Sequence, residues 1–165
     1  MDQVATIGVY GWTLDRFLAA LQETHVGRVL DVRQRRGVRG AEYAWANAKR
    51  LQAALDNAGI AYEHRPELAP TTQLRHLQYA EDDRVGAAQR SRTELAPEYR
   101  RRYTAEILDD VDFPAFVADL TDGVFSALLC VERDPEACHR SIIAARLASD
   151  HGLSVTHLRP ESVPT

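Results

Sequence analysis

Short apolar runs alternate with helical segments along almost the whole chain, and this alternation constrains the fold more than any other feature. The runs are 5–10 (ATIGVY), 28–32 (RVLDV), 60–64, 124–131 (VFSALLCV) and 153–158. Each is short, apolar and bounded by turn residues, as buried strands are. Between them apolar residues recur at helical spacing. Thr13 caps a helix carrying Leu14, Phe17, Leu18 and Leu21, and another carries Leu51, Ala54, Leu55 and Ala58 up to Gly59. Thr71 or Thr72 caps a short helix through Leu74, Leu77 and Gln78, and Pro97 and Pro114 each open one. Asp134-Pro135 reads as the N-cap and first residue of the last helix, which runs through Ile142, Ile143 and Leu147 to Gly152. The segment 81–93 is polar and mixed in charge and reads as mostly irregular. Strands separated by helices predict an α/β fold: one domain over 1–165, with a mostly parallel sheet of about five strands and helices on both faces. Its core spans about residues 4–159, and 160–165 form a tail.

With 165 residues, 45% of them hydrophobic, the chain buries a substantial core and is neither collagen-like nor disordered throughout. It has no apolar stretch near the roughly 18 residues of a membrane span. The N-terminus lacks a basic segment ahead of an apolar one, so no secretory signal is expected. Two cysteines make no disulfide framework, and a cytoplasmic location with reduced thiols is expected. The net charge of −4 opposes retention on nucleic acid by total charge. The distribution is uneven, however. Residues 28–50 hold seven basic side chains against two acidic ones, residues 84–102 hold six against two, and residues 106–122 carry acids alone.

In open parallel sheets, ligands sit at the carboxyl ends of the strands, in the loops leading into helices. Here those loops are 10–13, 33–42, 64–70 and 132–140. Both cysteines lie in the string from Cys130 to Arg140, which contains Glu132 and ends Cys138-His139-Arg140. Cys138 falls in or near the first helical turn, where backbone N–H groups favour a thiolate or a bound anion. On this reading Cys138 is nucleophile or donor, His139 or Glu132 the acid–base, and Arg140 the partner of an oxyanion. Cys130, ending an apolar strand, reads instead as a small core residue. A metal site from Cys130, Cys138 and His139, completed by His64 or Asp31, is an alternative, although no Cys-x-x-Cys pair is present. Among the arginines of the second loop, Arg33 and Arg36 are candidate phosphate contacts beside Arg35 and Arg39, with a solvated loop as the plainer reading. Asp31 would orient a histidine or bind a sugar hydroxyl, or else pair with Arg33. Tyr10 and Trp12 would stack on a base or sugar, or pack in the core. His64 is a further candidate to face the site.

Several of these residues together resemble a known family. The strings are Thr6-Ile7-Gly8, Thr13-Leu14-x-x-Phe17-Leu18, Leu30-Asp31-Val32-Arg33, Ala58-Gly59-Ile60-x-Tyr62-x-His64 with Pro66-Glu67-Leu68, and Leu128-Leu129-Cys130-x-Glu132 with Cys138-His139-Arg140. In this order, from about Thr6 to about Leu158, they resemble the family of the domain of unknown function 488. The resemblance implies an α/β fold and a shared site, with no established reaction. Many members open Thr-Ile-Gly-His-Ser, whereas Val9 and Tyr10 stand in those last two places here. Any chemistry or metal binding by that histidine would be missing here, or would fall to Tyr10 or His64. Three functions are therefore expected: an enzyme-like domain binding a small anionic or nucleotide-like ligand at the Cys-His-Arg string, a nucleic-acid binding or processing module using the arginine-rich loops, or a metal-binding protein.

Overall fold

The computed structural model describes residues 2–88 and 92–160. Five strands form one all-parallel sheet: β1 (Gln3–Ile7), β2 (Arg28–Asp31), β3 (Ala61–His64), β4 (Ser126–Leu129) and β5 (Ser154–Leu158), in the order β3-β2-β4-β1-β5. Between them lie α1 (Leu14–Glu23), α2 (Ala48–Asn57), α3 (Thr72–Val85), α4 (Pro97–Glu106), α5 (Phe113–Leu120) and α6 (His139–His151), with short 3-10 turns. The alternation in the sequence thus gives the predicted α/β sheet with helices on both faces. No helix among the described residues is long and apolar enough to cross a membrane.

Alternate residues of each strand point to opposite faces. Ala5, Ile7, Val29, Ala127 and Leu129 meet Phe17 and Leu21 of α1 and Leu51 and Leu55 of α2. Val4, Leu30, Leu128 and Cys130 meet the other layer, through Leu74 of α3, Tyr99 and Tyr103 of α4, Phe116 of α5 and Ile143 and Leu147 of α6. Burying each large apolar side chain contributes roughly 1.5–3 kcal/mol, so these two stripes fix which face each helix covers.

That division has a consequence at the strand ends. The registers bring His64, Asp31, Leu129, Ile7 and Leu158 into one row across the sheet. The central neighbours β1 and β4 then send the chain to opposite faces, β1 into α1 and β4 into α6. Such a switch point opens a crevice at the carboxyl edge.

Four elements differ from expectation. Strand β4 spans only Ser126–Leu129 of the run 124–131. The first strand ends at Ile7, because the Val9 and Tyr10 amides both turn onto the Val131 carbonyl at 3.0 Å. The helix capped by Thr71 is not short: α3 continues through Val85, held by a buried Gln78–Asp82 hydrogen bond within the stretch read as irregular. The last helix does not begin at Pro135. Residues Pro135–Ala137 make one 3-10 turn, Cys138 is extended, and α6 starts at His139 with Cys138 as its cap residue. Most of the expected tail, 161–165, lies outside the described residues.

Candidate functional site

Cys130 leaves the end of β4 with its amide on the Ile7 carbonyl at 3.2 Å, which fixes its sulfur at the crevice. Eight residues later the chain returns as Cys138 and His139, at the N-terminus of the 13-residue helix α6. The sulfurs of Cys130 and Cys138 and a ring nitrogen of His139 all lie within 4.8 Å of one another. His139 Nε2 stands 2.8 Å from the Val32 carbonyl oxygen, which can only accept, so Nε2 carries the proton. Nδ1 therefore faces the thiols, 3.5 Å from Cys130 Sγ and 3.7 Å from Cys138 Sγ. The Tyr103 ring packs against the imidazole with centroids 5.4 Å apart.

The two thiols are inequivalent. Burial pushes Cys130 well above the usual thiol range, helped by the neighbouring Cys138 and Glu132. Burial opposes ionisation of Cys138 too, but the Cys130 thiol, His139 and Arg140 outweigh it and hold Cys138 well below that range. Its position ahead of α6 acts in the same direction. Burial likewise opposes a charge on His139, and the adjacent Cys138, the Val32 carbonyl and Glu132 reverse that effect and raise it. These surroundings favour loss of the proton from Cys138 and its uptake by His139, and oppose ionisation of Cys130.

Glu132 Oε2 is 3.5 Å from Cys130 Sγ, and Oε1 accepts from Arg92 at 2.6 Å. Arg92 also donates to Asp82 at 2.8 Å and to the Ala137 carbonyl at 3.1 Å. Burial pushes the Glu132 carboxyl up, seconded by Cys138 and against the pull of Arg92. Neither Arg92 nor Asp82 had a signal in the sequence, because a buried polar chain has no period and each member is explained only by its partner.

These groups line a cavity of about 550 Å³ whose wall also includes Tyr10, Arg33, Arg35, Arg39, Arg75 and Tyr79. Arg75 donates to Gln34 and Tyr79, both at 2.8 Å, so its charge meets neutral oxygens. Among the described residues Arg35 pairs with no carboxylate.

The other predicted residues are placed differently. Arg140 is not a wall of the cavity. It is fully buried and donates to the Glu132 and Arg133 carbonyls at 2.7 and 3.0 Å and to Thr6 Oγ1 at 3.4 Å. Its guanidinium braces the turn after β4 and adds positive charge near Cys138; it does not point at a guest. Asp31 pairs with Arg33 through both oxygens, at 2.8 and 2.9 Å, and accepts from Tyr62, while Arg33 also donates to the Ala46 carbonyl. The pairing alternative for Asp31 therefore holds. His64 Nε2 meets the Arg33 carbonyl at 3.2 Å, so neither His64 nor Asp31 supplies a fourth metal ligand. Trp12 lies in the core, edge-on to Phe17, and Arg36 reaches the Tyr62 hydroxyl. Of the six predicted binding residues, Tyr10 and Arg33 line the cavity. In the second basic stretch, Arg84, Arg101 and Arg102 pair with Glu81, Glu98 and Glu106 of their own helices, and Arg90 lies outside the described residues.

Fold and site together define a parallel α/β domain with a thiol–imidazole centre at the switch point of its sheet. The family model described as domain of unknown function DUF488 matches residues 13–147, most of the chain, and the chain belongs to that family. No curated protein and no solved structure matches it.

Proposed function

We propose that this domain is an enzyme acting on a small anionic substrate, with Cys138 as the nucleophile and His139 as its proton partner. One observation carries the reading: Cys138 and His139, with Sγ and Nδ1 3.7 Å apart, line a cavity whose wall includes arginines. His139 is oriented as a base should be, with Nε2–H anchored on Val32 and Nδ1 toward the sulfur. In the reaction Nδ1 takes the thiol proton, the sulfur attacks an electrophilic carbon or phosphorus, and the proton returns to the leaving group. Water then releases the acyl or phosphoryl group from sulfur. Arg75 and Arg35 hold the negative end of the substrate, and Arg92 keeps Glu132 in place beside Cys130.

Isothermal titration with inorganic phosphate, pyrophosphate and a nucleoside monophosphate tests the anion site. At least one should bind, and Arg75→Gln should weaken it about tenfold, the loss of one charged hydrogen-bond partner. Absence of binding by all three at low salt, or equal affinity in the variant, would remove the anionic substrate from the account.

A further inference from the structure

The three buried donor atoms make a second use of the same centre. We propose that Cys130 Sγ, Cys138 Sγ and His139 Nδ1 bind one thiophilic divalent ion of the zinc class, and that the bound ion silences the Cys138 nucleophile.

The argument is geometric. With metal–sulfur bonds of about 2.3 Å and a metal–nitrogen bond of about 2.0 Å, a tetrahedral centre sets each sulfur–nitrogen edge at about 3.6 Å. The observed edges are 3.5 Å and 3.7 Å. A single proton at Nδ1 can be shared with one of the two sulfurs but not with both, whereas a cation placed between the three atoms meets all of them. His139 also has the outer support of a metal ligand, because its second nitrogen donates to a backbone carbonyl, which fixes both tautomer and ring. Two sulfurs and one imidazole favour zinc over magnesium or calcium. All three residues line the cavity, which provides an entry path and leaves the fourth position facing it. Binding releases the protons held by the two sulfurs and by Nδ1 and places a Cys138 lone pair in the metal bond, where it no longer attacks carbon or phosphorus. Ion binding stands on the three atoms alone; the silencing rests on the proposed role of Cys138.

The experiment uses full-length protein stripped with a chelator, desalted, and equilibrated with zinc chloride or cobalt chloride. Elemental analysis should find one zinc per chain, and cobalt should give the intense visible bands of a tetrahedral site with thiolate-to-metal charge transfer. Cys130→Ser and His139→Gln should each lower zinc affinity at least tenfold, and zinc should slow alkylation of Cys138 by iodoacetamide by a similar factor. The cobalt spectrum is read on the wild-type chain, so a variant that fails to fold does not remove the test. Absence of zinc binding and of the cobalt bands overturns the site while leaving the nucleophile standing. Zinc retained equally by folded variants also overturns it. Zinc bound with no effect on Cys138 alkylation overturns the silencing alone.

Discussion

Arg140 shows how far a residue's type can mislead about its task. An arginine beside a cysteine and a histidine invites an oxyanion role, yet its donors go to the Glu132 and Arg133 carbonyls and to Thr6. The reason lies at Gly8. A Cβ there would fall onto the Glu132 carbonyl and within 3.3 Å of the Arg140 guanidinium, so strand β1, the turn after β4 and Arg140 are packed with no space between them. Replacing Arg140 by methionine fills much of the volume but leaves two backbone carbonyls without donors, at a cost of about 2–4 kcal/mol. Urea unfolding of Arg140→Met should show that loss. An arginine that gripped a ligand would instead lose binding with stability intact, and a variant within about 0.5 kcal/mol of wild type would favour that role.

Among the elements, the edge strand β5 carries a pH dependence. Its His157 Nδ1 lies 2.7 Å from Thr6 Oγ1 on β1, and burial, then Arg140 and Arg159, hold the imidazole below its ordinary value. The unfolded chain therefore takes up this proton first as pH falls. Its contribution to stability is present above an unfolded-state value of about 6.5 and is lost as pH falls from there through the lower folded value. Unfolding free energies measured from about pH 7.5 to pH 5 should decline less steeply in His157→Gln than in wild type. Parallel curves would contradict the assignment. The central strands β1, β2 and β4 were legible because they are mostly apolar and buried on both faces, the edge strands β3 and β5 because turn residues bound them, and α1, α2, α4 and α5 because of their caps, prolines and spacing. The far half of α3 was not legible, since Gln78 and Asp82 take positions on its buried face that a reader of hydropathy assigns to solvent. The start of α6 was equally hidden: Asp134-Pro135 is a helix-opening pair that here opens only one 3-10 turn.

At the scale of the whole molecule, the sequence located the cavity better than it described its wall. The rule for parallel sheets directed attention to the edge at which Cys138, His139, Glu132, Tyr10 and Arg33 line one cavity. Trp12, Asp31, Arg36 and His64 lie at the same strand ends but serve the core or pair with Arg33 and Tyr62, a distinction that depends on which way each side chain points. Arg75 and Tyr79 come from α3 and Arg92 from the segment between α3 and α4, which no argument about strand-end loops covers. Net charge also proved a weak guide, since residues 106–122 carry much of the negative charge while five arginines line the cavity.

The central claim is that Cys138, and not its neighbour Cys130, is the reactive thiol. Peptide-resolved mass spectrometry of metal-stripped native protein, sampled during brief exposure to iodoacetamide, measures both rates in one experiment. Cys138 should be alkylated at least about tenfold faster than Cys130, and His139→Gln should bring the two rates together. Equal rates in the wild-type chain, or faster labelling of Cys130, would contradict the account.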